Sequence, residues 1–111
     1  MNKEELPSGE LAPDLPHARP EGFDGFPLGR LVATPGSLAM LESLNLRPDN
    51  FLARHAAGDW GDICAEDAGL NDEALRYGDR LISVYKIQGK VLWIITEYDR
   101  SVTTLLLPEE Y

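Results

Sequence analysis

Cysteine is nearly absent from this sequence. One residue, Cys64, in a chain of 111 excludes an internal disulfide and any zinc site built from several thiolates, and it fits a reducing compartment. Basic residues are scarce as well: 10 Lys and Arg stand against 19 Asp and Glu, a formal net charge of -9. Gripping nucleic acid through its phosphates requires clustered cations, so direct nucleic-acid binding is not expected. No run of about 18 apolar residues exists, which excludes an expected membrane span. The opening stretch MNKEELPSGE lacks the apolar region of a secretory signal. Glycine-rich phosphate loops, metal-ligand spacings and nucleophile elbows are missing too. What is left is a small cytoplasmic protein of one domain, without cofactor or metal, whose acidity suits either plain solubility or a basic protein partner.

Proline is unevenly placed. Five of the eight prolines (Pro7, Pro13, Pro16, Pro20 and Pro27) fall in residues 1–27, where they interrupt any continuous helix. That segment is expected to be a disordered or extended acidic tail, with Phe23 and Phe26 as anchors at its end. Residues 28–111 form the predicted domain. Thr34-Pro35 reads as an N-cap followed by a first-turn proline, opening a helix over 35–44 with Leu38, Leu41 and Leu44 inward and Asn45 as the C-terminal stop. Pro48 opens a second helix whose stripe is Phe51, Leu52, His55 and Ala56, ended by Gly58. A third helix is expected over 65–77, with Leu70, Ala74 and Tyr77 on one side and Asn71 and Leu75 beside them, Glu66, Asp67, Asp72 and Glu73 on the acidic side, and Gly78 as its stop.

The remainder is rich in β-branched and aromatic residues. Residues 80–87 and 90–98 pair as a hairpin around Gln88-Gly89, and 101–107 adds a third strand that Pro108 ends. In that register one face carries Leu81, Ser83, Tyr85, Leu92, Ile94, Thr96, Thr103, Leu105 and Leu107. The opposite face carries Ile82, Val84, Val91, Trp93, Ile95, Thr104 and Leu106. Both are largely apolar, so the helices should cover one, and the tail or a second subunit of a homo-oligomer could cover part of the other. Trp93, in mid-strand, is expected to be buried. The predicted class is α+β: three short helices followed by a three-stranded antiparallel meander.

Few residues offer chemistry. His55 is the one histidine of the predicted domain, and imidazole titrates near neutrality, which suits acid–base catalysis; on an apolar helix face it suits packing better. In Gly58-Asp59-Trp60-Gly61-Asp62 a carboxylate could return to the imidazole, while Trp60 between two glycines reads equally as a plug over the core. Thr96 and Thr103 are predicted neighbours with Ser83 nearby, and these hydroxyls with Arg100 could grip an anion or simply be good strand residues. Glu97 opposite Arg80 predicts a cross-strand ion pair. Cys64 is expected to pack near the start of the third helix.

Residues 31–111 resemble a family of short plasmid-related proteins of bacterial plasmids and integrated mobile elements. The matching pieces are Ala33-Thr34-Pro35-Gly36, Phe51-Leu52-Ala53-Arg54-His55, Gly58-Asp59-Trp60-Gly61, Asn71, the strand from Arg80 to Tyr85, Trp93-Ile94-Ile95-Thr96-Glu97, and the closing run from Asp99 to Tyr111. Arg47 departs from the Ser or Thr expected before Pro48. The resemblance implies a mobile-element context and no mechanism. A second, fold-level resemblance is to the barnase and colicin type of small ribonucleases, which implies His55 as general acid/base, Arg100 and Thr103 (with Thr104) on the phosphate, and Trp60 or Tyr85 stacking a base. The leading expectation is a non-enzymatic accessory protein that binds a protein partner with a basic surface through Trp60, Asp62, Glu66, Asp67, Asp72 and Glu73, as a regulator or a nucleic-acid mimic. The alternative is a ribonuclease-like enzyme using His55.

Overall fold

The computed structural model describes residues 19, 20 and 22–111; what the sequence predicts for the rest of the tail lies outside them. In chain order the elements are β1 (Arg30–Ala33), α1 (Pro35–Ser43), α2 (Pro48–Ala56), α3 (Ala65–Tyr77), β2 (Leu81–Ile87), β3 (Lys90–Thr96), β4 (Val102–Leu106) and a 3-10 turn at Pro108–Glu110. The class is α+β, with one correction. The sheet has four strands in the order β1-β4-β3-β2 and is mixed, because β1 runs parallel to β4. Four residues with no hairpin partner carry little local signal, and β1 is recruited by β4 from about 70 residues away in the chain.

The predicted hairpin register holds. Leu81 pairs with Thr96, Ser83 with Ile94 and Tyr85 with Leu92, and Thr96 pairs with Thr103 and Ile94 with Leu105. Gln88 and Gly89 both take positive φ, 50° and 81°, as a type I′ turn requires. The Arg80–Glu97 ion pair forms at 3.3 Å.

Helix α1 begins where Thr34 accepts a hydrogen bond from Ser37 N at 3.2 Å, and Ser37 Oγ donates to Leu105 O at 3.1 Å, fastening the helix to β4. Asn45 takes φ 61° while Leu46 N reaches back to Leu41 O at 2.9 Å, a left-handed helix stop. The buried positions are Ser37, Met40 and Leu41, whereas Leu38 is exposed; the inward stripe is turned from the predicted one. A similar rotation affects α3. Asn71 and Ala74 face inward, and Leu70 and Tyr77 are exposed. Cys64, expected to pack, is the exposed N-cap of that helix.

The reason for the α3 rotation is the edge of β2. Asn71 Nδ2 donates to Ile82 O at 2.7 Å, and Ile82 N donates to Asn71 Oδ1 at 3.2 Å, so one amide side chain replaces a neighbouring strand. Further along the same edge, Val84 N donates to Trp60 O and Asp62 N to Val84 O, and Lys86 N donates to the Asp62 carboxylate at 2.8 Å. Gly61 makes this approach feasible: at φ 79° any Cβ there would collide with Val84 O. The β2 edge is thereby closed to further strands.

Two apolar clusters lie on the helix-covered face. The larger joins Met40, Leu41, Phe51 and Leu52 of the first two helices to Tyr85, Leu92, Ile94 and Leu105. The smaller joins Trp60, Ala74 and Leu81, with Phe26, Ile63 and Leu75 against it. On the other face Ile95 and Leu106 are buried, but Trp93 is only half-buried. Its ring meets that of Tyr111 at 5.6 Å, and its half-buried state corrects the expectation of a core position.

Asn71→Ala should lower the unfolding free energy by about 1–3 kcal/mol, the penalty for leaving buried amide groups unpaired. A urea melt measures this, and an unchanged midpoint would mean that water serves the Ile82 amide groups just as well.

Candidate functional site

Helix α2 carries His55 inward because Phe51 and Leu52 occupy the same face one turn earlier. The imidazole has no exposed surface. Its Nδ1 lies 2.6 Å from Ser83 Oγ and its Nε2 2.8 Å from Thr96 Oγ1. Thr96 Oγ1 in turn lies 2.7 Å from Thr103 Oγ1, which donates to Leu28 O at 2.7 Å. Donor accounting sets the directions from Leu28 back to His55 Nε2, and the neutral state that burial imposes on the ring sets the one at Ser83. A carbonyl only accepts, so the Thr103 proton goes to Leu28 O. Thr96 must then donate to Thr103 and accept from His55 Nε2–H, and Ser83 donates to Nδ1. The result is a neutral imidazole protonated at Nε2, linking α2, β2, β3, β4 and the segment leading into β1.

Aromatic rings close this network. Phe26 stands edge-on to His55 at 5.2 Å, and Trp60 does so at 5.8 Å. Arg19 spans Phe23 and Trp60 with its guanidinium, donates to Gly58 O at 2.6 Å and pairs with Asp72 at 2.7 Å. Asp72 also accepts from the Trp60 indole at 2.9 Å. Burial, helped by the charge of Arg100, lowers the His55 pKa from 6.5 to about 4.

His55, Trp60 and Thr103 therefore come together, but in the interior, with Arg100 half-buried at its edge. Arg100 lies over the Phe26 ring and donates to four carbonyls, those of Ala74, Asp79, Glu97 and Tyr98. It thereby serves as a positive cap for the C-terminal end of α3 and for the turn before β4. A general acid/base must come within hydrogen-bond reach of its substrate; here both imidazole nitrogens are engaged by hydroxyls. Tyr85 is buried with its phenol on Asp59 O at 2.6 Å, and burial pushes its pKa up to about 12.

The acidic residues divide into two groups. Asp62 and Asp72 hold the Trp60 loop and the Arg19 strap, as described, and Asp59 pairs with Arg54 at 2.6 Å. Glu66 and Asp67 project from the first turn of α3, exposed and without a hydrogen bond or ion pair among the described residues. Asp67 borders a groove of about 540 Å³ between α3 and the uncovered sheet face, which Glu73 also lines. Ile82, Val84 and Trp93 floor the groove, with Leu70 and Tyr111 at its sides. Among the described residues no three His, Cys, Asp or Glu side chains are grouped to hold a metal, and no helix is long and apolar enough to cross a membrane.

Sequence reasoning placed Phe26 as an anchor, which it is, but missed its contact with His55 and missed Arg19 altogether. Their signal was weak, an arginine and an aromatic inside a proline-rich segment. It also missed the groove, because the face that α3 leaves open depends on the rotation imposed by Asn71. No protein family, curated protein or solved structure matches this chain, so the geometry stands alone.

The His55 environment has a pH signature. Its folded pKa, about 4, lies below the 6.5 of an exposed imidazole, so the unfolded chain binds the extra proton first. Its contribution is complete above about pH 6.5 and is lost as pH falls towards 4, by up to about 3 kcal/mol for a shift of this size. The stability difference between wild type and His55→Gln, taken at each pH to cancel the carboxylates, should be flat above neutrality and shrink through that window. A difference that stays constant down to pH 4 would show an imidazole open to solvent.

Proposed function

We propose that this chain is a small acidic accessory protein of the cytoplasm, of the kind carried by bacterial plasmids and mobile elements. It acts by binding a protein partner that presents a basic surface, as a regulator or as a mimic of nucleic acid. The observation that carries this reading is the position of Glu66 and Asp67. They are exposed and, among the described residues, make no hydrogen bond or ion pair, in a chain of net charge -9. Carboxylates in a first turn also favour the helix through its dipole, so their outward position comes without loss of stability. The engaged state of Asp62, Asp72 and Trp60 confines the binding role to the start of α3 and the groove beside it. The interior position of His55 and the engagement of Arg100 weigh against the ribonuclease-like alternative.

The test is capture of bacterial proteins on immobilised chain. Retention should fall as salt rises from about 0.1 M to about 1 M, where the screening length drops from about 10 Å to about 3 Å. The double variant Glu66→Lys, Asp67→Lys should retain less and lose most of that salt dependence, as expected when rim charges steer association. Incubation with mixed RNA should give no cleavage. Cleavage that disappears in His55→Ala would replace this reading with the enzymatic one.

A further inference from the structure

The groove beside α3 has a floor that the described residues leave open and a rim of one dominant charge. Its volume, about 540 Å³, falls within the range of cavities that bury a ligand. Trp93 and Val84 stand on rigid, paired strands, so the floor is preformed, and Trp and Tyr are the residues that most often anchor an interface. Asp67 and Asp79 line it, together with Glu73, which has a partner of its own, against the cation of Arg80. That guanidinium is already engaged, by the Glu97 carboxylate at 3.3 Å and by the Tyr111 oxygen at 2.9 Å. An occupant therefore meets apolar surface surrounded by negative charge.

Charge also separates the available occupants. A second copy of the chain brings another net -9. That copy is repelled by the rim, whereas a cationic segment is attracted. We infer that the groove between α3 and the open face of β2 and β3 seats one aromatic or long aliphatic side chain of the protein partner, flanked in its own sequence by lysine or arginine. This rests on the proposed binding of a basic partner and adds the place and the anchor.

A random 12-residue peptide library, selected against the full chain, tests the inference. Leu70 is half exposed, at 50%, so Leu70→Arg should keep the thermal midpoint while placing a cation in the groove. The expected result is enrichment of peptides with an aromatic or aliphatic residue between Lys or Arg. Their affinity should fall at least about tenfold on replacing that residue by Ala, the effect of losing one buried large side chain, and similarly on the Leu70→Arg chain. Basic peptides that are indifferent to Leu70→Arg but lost on Glu66→Lys, Asp67→Lys would overturn the groove and leave the acidic-binder reading standing. Enrichment of peptides without Lys or Arg would overturn both, as would no enrichment beyond that of the Leu70→Arg chain.

Discussion

A directed row of hydrogen bonds from Ser83 through His55, Thr96 and Thr103 to the Leu28 carbonyl is the feature on which the rest of this structure depends. It runs through a site without solvent contact, where an unsatisfied polar atom costs about 1–3 kcal/mol. From Thr103 back to His55 Nε2 each direction follows from the single carbonyl at the end of the row, and at Ser83 it follows from the neutral state that burial imposes on the ring. Apolar packing would tolerate a sliding helix, but this row allows α2 only one height over the sheet.

The same row explains the division of the core. Phe51 and Leu52 on α2 belong to the larger apolar cluster, while the ring partners of His55, Phe26 and Trp60, belong to the smaller one. His55 is thus the joint between the two. Because the row ends on Leu28, it also holds the strap that carries Phe26 and leads into β1. With that strap and the Trp60 loop in place, α3 is left to meet the sheet at the β2 edge through Asn71, and it leaves the opposite face beside Trp93 uncovered. The groove is therefore a consequence of how the interior is satisfied.

Much of the architecture was legible in the sequence because it is locally encoded. Thr34-Pro35, Pro48 and Gly78 marked helix ends by backbone chemistry, and Gln88-Gly89 set a register that placed Ser83, Thr96 and Thr103 on one face. Other features depend on partners distant in the chain. β1 has only four residues and exists because β4 accepts it. The rotations of α1 and α3 follow from Ser37 on Leu105 and from Asn71 on Ile82, polar contacts that an apolar periodicity does not register. Trp93 was read as core because its neighbours are apolar, yet alternation along β3 directs it to the open face. His55 suited both catalysis and packing as a residue type, and only the surrounding hydroxyls and rings distinguish the two.

The central claim, a neutral His55 with its proton on Nε2, is directly measurable. Nitrogen-15 NMR of the imidazole at neutral pH separates the two neutral tautomers from the cation. The account predicts one species, with a protonated Nε2 and a bare Nδ1, that persists unchanged well below pH 6.5, since burial holds the pKa at about 4. A neutral ring with its proton on Nδ1 would contradict it by breaking the donor order that ends on Leu28, and an imidazolium at neutral pH would contradict the burial that holds the pKa down.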